Sequence, residues 1–586
     1  MALKILFVLS LLLSHTSAIQ QPFRYEFPTG AAENEGESSS YQFKWPIRKV
    51  AIVGAGAGGL VSYREFTRLG FHVRLFERDS VPGGNWHYTD DIPLDAPVPN
   101  LDPAVADFQP HLPPDNASWP YEERLDGIEP KVVREIKRDH RAPKPIWNTL
   151  NTTNPKQAQQ FREYPWPDNA PITLTWKHVQ RYVRSFASFL GVNSNDGNSD
   201  ASYNTRVEHV DKRYNVDGEE AGWTLTLRQV IQTGSDSCKI RWWTEDFDAV
   251  VVASGRYGAP NIPRISGLEE WANLYPKLLT HSRQYRYPEE FTNQTVLVIG
   301  GSVSGTEIAQ EISATASKVY LSVRISGGSV LSEGRKRYLS RVPQNVSIIS
   351  EIKTFHPLPD VDEGIRPGVI ELVDGTILHG FDRIIFATGY RYAFPFLPQY
   401  HNASLHPNET IPIESGKPQP LVTDGSHIRS LHLDIFYIEE PTIGFINVNT
   451  GIDTFSFSEY TSSALAKVWE GKAKIPSTKN MWALHWDRVK EAGGRYGKEF
   501  LLLGNEGETA RIRYLVGWLN QEAVEYGGHQ LIAPAENGYE IASIWAIAQF
   551  PAYYSNRSNF VTSSSVGEFQ GQRKFVEAWS YNRDDW

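Results

Sequence analysis

Two short glycine-rich stretches have the residue types and spacing that hold a nucleotide pyrophosphate. In the first, Gly54, Gly56 and Gly59 follow an apolar stretch and precede a helical pattern over residues 60–69. Glycines let the backbone approach a pyrophosphate, and a helix that begins there offers free N–H groups and the positive end of its dipole. A second apolar stretch then ends in Glu77, at the separation where a carboxylate accepts hydrogen bonds from a ribose. This order of elements predicts a dinucleotide site.

The second stretch departs from that pattern at one residue. Gly300, Ser304 and Gly305 keep the spacing of a nucleotide-binding turn, but Ser302 stands where the middle glycine is usual. A serine can form the same turn if its φ stays negative, and its hydroxyl can donate to a phosphate oxygen. The nucleophile turn of a hydrolase, Gly-x-Ser-x-Gly, is excluded because it would require glycine in place of Ser304. We therefore expect an altered second nucleotide site.

The elements around both turns predict a parallel sheet flanked by helices. Between residue 48 and about residue 388, apolar runs alternate with helical patterns. Residues 90–145 are rich in Pro and Asp with little periodicity, which indicates a long surface excursion. An amphipathic pattern over residues 509–526 predicts a helical cap near the C-terminus.

Length, charge and cysteine content narrow the class of protein. A chain of 586 residues is too long for one hydrophobic core, so two or more domains are expected. The formal charge of -10 gives no basic footprint for nucleic acid. Cys238 is the single cysteine, which excludes an internal disulfide and the flavoprotein disulfide reductases; we expect it to be a small side chain near a strand at 239–243. No metal-ligand cluster stands out among the 16 His.

The first 18 residues predict a secretory signal peptide. Lys4 precedes an apolar run over residues 5–13, and small residues follow at 16–18. The run is far shorter than the roughly 20 apolar residues that span a bilayer, so no stable membrane anchor is expected. The mature chain is expected in the secretory lumen or outside the cell. Glycosylation sequons, which fit that destination, begin at Asn116, Asn151, Asn293, Asn345, Asn402, Asn408 and Asn556.

Three further stretches connect the chain to a known family. Residues 81–86 place Gly84, Asn85 and Trp86 just after the ribose acid. The order Gly-x-Gly-x-x-Gly, Phe-Glu-Arg, Gly-Gly-x-Trp resembles the FAD half of the flavin-containing monooxygenases, the class B flavoprotein monooxygenases. Residues 386–395 match that family's signature Phe-Ala-Thr-Gly-Tyr-x-x-x-x-Pro in full. Residues 275–285 resemble its fingerprint, aromatic-x-Gly-x-x-x-His-x-x-x-aromatic, with Lys277 in place of the glycine.

The resemblance covers most of residues 49–481 and implies an α/β fold. That fold has two Rossmann-like dinucleotide-binding domains, with the NADPH domain inserted into the FAD domain, and a helical C-terminal cap. After the signal peptide at 1–18 and a polar stretch that predicts a flexible arm at 19–47, the implied segments are the first part of the FAD domain at 48–258, the inserted NADPH domain at 259–387, and the second part of the FAD domain with the cap at 388–586.

The resemblance also implies which residues bind FAD and NADPH. Arg324 follows the strand after the second turn, where the family carries an arginine for the 2′-phosphate of NADPH instead of the acid that favours NADH. The residues expected to bind the cofactors are Gly54, Gly56, Gly59, Glu77, Gly84, Asn85, Trp86, Thr152, His281, Gly300, Ser302, Ser304, Gly305, Thr306, Arg324, Thr388 and Gly389.

One departure from the family pattern touches the chemistry. The family has Leu-x-Thr-Asn-x-Pro-Lys, with its asparagine near the flavin, and this chain has Leu-Asn-Thr-Thr-Asn-Pro-Lys at residues 150–156. Thr153 occupies the asparagine position, and Asn151 and Asn154 lie beside it. The catalytic group is either an asparagine amide presented by a shifted loop or the Thr153 hydroxyl, and both alternatives remain.

The resemblance implies an FAD- and NADPH-dependent monooxygenase that acts through a peroxyflavin. It would transfer one oxygen atom from O2 to a nucleophilic nitrogen or sulfur of a small molecule. The fingerprint ends in Tyr285, where Baeyer-Villiger enzymes usually have Trp, which favours nitrogen or sulfur over a ketone. A Baeyer-Villiger enzyme and a peroxide-producing flavin oxidase remain alternatives within enzymes. A lumenal FAD-binding protein without catalysis is the alternative from another class.

Overall fold

The protein is described here by a computed structural model. It describes residues 39–105, 107–324, 333–359, 364–412, 415–494 and 496–533. The expected signal peptide, most of the N-terminal arm and the sequon at Asn556 lie outside the described residues.

A seven-stranded sheet carries the first glycine turn. Its central strands pair in parallel and are apolar on both faces, as covered strands require. In spatial order the strands are β19 (Leu431–His432), β20 (Phe436–Tyr437), β21 (Ile443–Phe445), β8 (Ala249–Val252), β1 (Lys49–Val53), β2 (His72–Phe76) and β4 (Ala201–Ser202).

A five-stranded, wholly parallel sheet carries the second turn. In spatial order its strands are β10 (Leu279–His281), β17 (Arg383–Phe386), β11 (Thr295–Ile299), β12 (Lys318–Ser322) and β13 (Val346–Ile349). All five lie in sequence between β8 and β19 of the first sheet. One nucleotide-binding unit is therefore inserted into the other, as the sequence predicts, while the limits at 258/259 and 387/388 stay predictions.

The two chain crossings between the units run side by side. The outward crossing contains β9 (Ala259–Pro260) and the return crossing contains β18 (Tyr390–Arg391), and these two short strands pair antiparallel. Thr388 donates its hydroxyl to the carbonyl of Asn261, whose own amide returns a hydrogen bond to the Thr388 carbonyl at 3.1 Å. The crossings are thereby fixed to each other at the boundary of the two sheets.

Two antiparallel sheets complete the strands. One has the order β3 (Tyr121–Leu125), β7 (Cys238–Phe247), β6 (Glu220–Gln232), β5 (Thr205–Tyr214), and the other β14 (Ile352–Phe355), β15 (Val369–Leu372), β16 (Ile377–His379). Cys238 is buried at the start of β7. The excursion at 90–145 has more regular structure than its composition predicts, because it contributes β3 and a helix.

Helices cover the sheets and form the C-terminal part of the chain. They are α1 (Ala57–Arg68), α2 (Pro130–Arg141), α3 (Trp176–Phe189), α4 (Leu268–Leu274), α5 (Val303–Ile312), α6 (Glu333–Leu339), α7 (Thr454–Glu470), α8 (Thr478–Glu491) and α9 (Gly504–Tyr526). Helix α7 is buried along almost its whole length, between α1 and α9. Among the described residues, no helix combines the length and the apolar character needed to cross a membrane.

Candidate active site

The first glycine turn is built so that side chains are excluded from it. Gly54 has φ +106°, and a Cβ there would lie 2.6 Å from the carbonyl oxygen of Ala253. A Cβ on Gly59 would lie 1.8 Å from the carbonyl oxygen of Gly54. Helix α1 begins at Ala57, three residues earlier than its apolar pattern predicts, because the last glycine of the turn already lies inside the helix. The backbone is therefore open towards the helix N-terminus, where a pyrophosphate binds.

The second turn repeats these contacts. Gly300 has φ +120°, and a Cβ there would lie 2.4 Å from the carbonyl oxygen of Ala387; a Cβ on Gly305 would lie 1.7 Å from the carbonyl oxygen of Gly300. Ser302 precedes the first residue of α5 with φ -109°, so its backbone has the negative φ that a serine needs there. Its side chain is exposed and Ser304 is half-buried, whereas Thr306 is buried and donates its hydroxyl to the Ser302 carbonyl.

The FAD side of the site combines a buried acid with an open backbone cradle. Glu77 accepts hydrogen bonds from the backbone N–H groups of Ala55, at 2.8 Å, and Asp79, at 2.9 Å. Gly84 lies against Gly56, since a Cβ on Gly84 would approach the Gly56 Cα to 2.7 Å. The side-chain oxygen of Asn85 is buried and accepts no hydrogen bond within the described part of the chain. These features fit FAD, which offers hydroxyl and imide donors to such an oxygen. The neighbouring Trp86 is half-buried and packs against the apolar core.

Arg324 lies at the end of β12 with 63% of its side chain exposed. Its Nε donates to a carboxylate oxygen of Glu351 at 2.9 Å. The expected 2′-phosphate contact therefore has a competing acid beside it, which the sequence pattern does not predict.

His281 has a structural task at the crossing. Its Nδ1 accepts the N–H of Arg283 at 3.1 Å, and its Nε2 lies 3.0 Å from the carbonyl oxygen of Gly389. Burial lowers the pKa of His281 to about 3, so the ring is neutral and its Nε2 donates to Gly389. Both ring nitrogens are used within the protein, and a contact of this residue with a cofactor stays a prediction. It fixes Gly389, which has φ +85°, directly after Thr388 in the return crossing.

The loop at 150–156 separates the residues that the sequence left as alternatives. Thr152 is buried and uses its hydroxyl inside the loop, where it donates to the Asn154 carbonyl at 2.8 Å. Asn154 donates its side-chain amide to Asp453 at 2.5 Å. Asn151 and Thr153 are exposed and line a cleft of about 390 Å³. Of the three candidate catalytic side chains, these two have polar atoms available to the cleft.

The cleft lies between this loop and helix α5 and contains acids that the sequence analysis missed. Glu307 is half-buried, 3.3 Å from Arg341, and burial raises its pKa to about 7. Glu311 accepts hydrogen bonds from the side chains of Tyr285, at 2.7 Å, and Trp147, at 3.0 Å. Acids four residues apart on the helix after a glycine turn share one face, which is the signal that could have found them. The lining residues are Thr149, Asn151, Thr152, Thr153, Thr173, Glu307, Gln310, Glu311, Ala314, Tyr338 and Arg341.

A buried carboxyl pair connects the loop to the C-terminal helix. The backbone N–H of Asp453 donates to both carboxylate oxygens of Glu508, each at 3.0 Å. Burial raises the pKa of both side chains, and Asp453 raises that of Glu508 further. Because the three residues are far apart in sequence, no local pattern predicts the series of hydrogen bonds that joins Asn154, Asp453 and Glu508. Within the described ranges, His, Cys, Asp and Glu side chains form no group of three or more that could hold a metal ion.

Two glycine turns with the same packing, each at the carboxyl end of a central parallel strand, define an oxidoreductase with two dinucleotide sites. Comparison with known proteins gives the family. The sequence model "Flavin-binding monooxygenase-like" matches residues 133–357, and the model "NAD(P)-binding Rossmann-like domain" matches residues 52–112.

Two curated relatives cover most of the chain. The flavin-containing monooxygenase iboF of Amanita muscaria is 48% identical over 530 residues, which is 89% of this chain and 96% of that protein. The flavin-containing monooxygenase ustF2 of Aspergillus flavus is 30% identical over 498 residues, 80% of this chain and 92% of that protein. Among solved structures, S-allyl-L-cysteine S-oxygenase from Allium sativum shares the fold, with a TM-score of 0.58 and 24% identity over 90% of this chain and 99% of that one.

The chain belongs to the flavin-containing monooxygenase family. It is an enzyme, so the alternative of a non-catalytic binding protein is wrong, and its cofactors are FAD and NADPH.

Proposed function

We propose that this monooxygenase transfers one oxygen atom from O2 to a nucleophilic nitrogen or sulfur of a small molecule. The observation that carries the proposal is the cleft of about 390 Å³ between the loop at 150–156, the predicted flavin loop, and helix α5. It is large enough for a nicotinamide end and a small substrate, and every lining side chain except that of Ala314 carries a polar atom. The choice of nitrogen or sulfur rests on Tyr285, which ends the fingerprint in place of Trp.

The protein's own contribution is positioning and exclusion of water. FAD reduced by NADPH supplies the activation of O2 when both cofactors are bound. The Thr153 hydroxyl and the Asn151 amide, both on the cleft surface, are the groups we propose to donate hydrogen bonds to the reacting centre. Asn154 holds the loop through Asp453. Glu307, with a pKa near 7, can exchange a proton with the cleft at neutral pH.

The test follows the fate of oxygen in the FAD-loaded enzyme. The protein is reduced with NADPH without air and mixed with O2 in the presence of a tertiary amine, a thioether or a cyclic ketone. An N-oxide or a sulfoxide formed in step with NADPH consumption supports the proposal. A lactone as the main product identifies a Baeyer-Villiger enzyme, and hydrogen peroxide without product in all three mixtures identifies an oxidase.

Thr153→Ala and Asn151→Ala test the assignment within the loop. Each should divert more NADPH oxidation to peroxide than the wild type does, because an oxygen-transferring centre without its hydrogen bonds loses oxygen as peroxide before it reacts. Asn195→Ala, at an exposed residue outside the cleft and outside every sequon, is the control. Unchanged coupling in both loop variants would remove these two residues from the chemistry.

We also propose that the chain enters the secretory pathway. The apolar run at residues 5–13, the small residues after it and the sequons support this destination. Expression of the full chain in a eukaryotic host should give a secreted product whose N-terminus lies near residue 19 and whose mass falls on treatment with a glycosidase. Retention in the cytosol with residue 1 intact would contradict it.

A further inference from the structure

The excursion at residues 90–145 is held between the two nucleotide units by buried arginines. Arg286, in the segment after His281, donates to the carbonyl oxygens of Asp91, at 2.8 Å, and Lys144, at 3.1 Å. Arg283 donates to the carbonyl of Leu94 at 2.6 Å. Hydrogen bonds from buried charged side chains to backbone carbonyls fix a backbone strongly. Both ends of the excursion are therefore positioned, and the side chains they carry have fixed directions.

One of those side chains points at the predicted ribose acid of the FAD site. The Nζ of Lys144 lies 3.9 Å from a carboxylate oxygen of Glu77, and about 10% of the Lys144 side chain is exposed. This distance is too long for a hydrogen bond. Among the described residues, Lys144 Nζ has no hydrogen-bond acceptor within reach, although burial lowers its pKa and an ammonium carries three donors.

The neighbouring charges have closer partners. Asp79 contacts the Nδ1 of His87 at 2.9 Å and the Nε of Arg141 at 3.3 Å, and Arg78 contacts Asp107 at 3.1 Å. Lys144 and Glu77 are left facing each other across a gap. An ammonium on a largely buried side chain without a hydrogen-bond acceptor is costly, so the gap suits a group that both donates and accepts.

A ribose hydroxyl is such a group, because it can donate to a carboxylate and accept from an ammonium at once. We propose that Lys144 is an FAD-binding residue supplied by the excursion, and that it donates to a hydroxyl oxygen of the adenosine ribose held by Glu77. The excursion then contributes to cofactor binding as well as covering the surface. This inference rests on FAD as the cofactor and is independent of which atom the enzyme oxygenates.

The test measures FAD affinity and needs no turnover. Apoprotein is titrated with FAD by flavin fluorescence, and ADP, which carries the same ribose, is used as a competitor. Lys144→Met keeps the length and apolar stem of the side chain. The variant should weaken the binding of FAD and of ADP by the same factor, about tenfold to hundredfold, as expected for a lost hydrogen bond to a charged group. Lys131→Met, on the exposed start of α2, is the matched control and should change neither.

The melting temperature of the apoprotein separates binding from support of the fold. It should not fall in Lys144→Met, because the variant removes a buried charge without its own hydrogen bond. Affinities are compared below the melting temperature of every variant, with Lys144→Arg as a second variant that keeps the charge. FAD affinity within twofold of wild type in Lys144→Met would overturn the proposal, and so would loss of FAD affinity with unchanged ADP affinity.

Discussion

Arg324 is the residue that we expect to select NADPH over NADH. A charge-assisted hydrogen bond to a phosphate contributes about 1.5–3 kcal/mol, and exposure of this side chain places the expected effect at the lower end. Arg324→Ala should therefore weaken NADPH binding about tenfold. The measurement is the rate of anaerobic flavin reduction as a function of NADPH concentration. NADH has no 2′-phosphate and should change little.

The pairing of Arg324 with Glu351 adds a second variant to this experiment. Glu351→Gln frees the arginine and removes a negative charge, so it should tighten NADPH binding and leave NADH binding unchanged. Arg366→Ala is the control, because Arg366 is similarly exposed, at 60%, and pairs with Asp382 in the same unit. Equal losses for both nucleotides in Arg324→Ala would show that this residue supports the fold and does not select the phosphate.

Two sequons differ in what surrounds their asparagine. Asn116 is exposed on the excursion, whereas Asn151 lines the cleft beside the predicted flavin loop, where a glycan would occupy the space of the cofactor or substrate. In secreted, FAD-loaded protein we expect glycan on Asn116 and none on Asn151, as measured by peptide mass spectrometry. A glycan on Asn151 in active enzyme would refute our assignment of this loop.

At the scale of elements, the two glycine turns should have separable roles. Gly54→Ala places a Cβ against the Ala253 carbonyl in a backbone with positive φ, so the variant should lose FAD and its yellow colour. Gly305→Ala places a Cβ against the Gly300 carbonyl; this variant should keep FAD but not be reduced by NADPH. Gly517→Ala lies in α9 with nothing near the added Cβ, so this control should keep FAD and still be reduced by NADPH. If Gly54→Ala and Gly305→Ala lose FAD equally, the assignment of one nucleotide to each turn is wrong.

Elements defined by local patterns were predictable from the sequence, and contacts between distant segments were not. Strands β1 and β2 end directly before Gly54 and Glu77, as the two apolar stretches predict, because a glycine or an acid ends each apolar run. Helix α1 begins three residues before its predicted start, since the pattern does not show that a glycine turn already contains helical backbone. The contact between Lys144 and Glu77 depends on how the excursion folds back, which no periodicity records.

At the scale of the whole molecule, the buried pair of Asp453 and Glu508 connects three distant parts of the chain. Asp453 precedes α7, the helix that packs against α1 of the first turn, and it also accepts the amide of Asn154. Glu508 comes from α9. Burial opposes ionisation of both carboxyl groups, and a charge on Asp453 opposes ionisation of Glu508 further. We therefore expect the pair to retain a proton in the folded protein at pH values where free carboxyl groups have lost theirs.

This proton makes stability depend on pH with a defined sign. The folded pKa of Glu508 is raised above its ordinary value of 4.5, so the unfolded chain releases its proton first as pH rises. The folded state then binds more protons than the unfolded state, and the free energy of unfolding falls from about pH 4.5 upward to the raised pKa. Each unit of pKa corresponds to about 1.36 kcal/mol, so a loss of at least that size is expected from this group.

Glu508→Gln isolates the contribution of the pair, because the amide keeps an oxygen for the Asp453 N–H and cannot ionise. Relative to wild type, the variant should be more stable at pH 8 than it is at pH 5.5, by at least about 1.4 kcal/mol, the value of one pKa unit. Urea denaturation of the FAD-loaded protein at both pH values gives the measurement. Glu506→Gln, an exposed acid on the same helix, is the control and should follow the wild-type curve. A difference between variant and wild type that does not change with pH would mean that Glu508 is ionised in the folded protein, and the pair would then stabilise the site by hydrogen bonding alone.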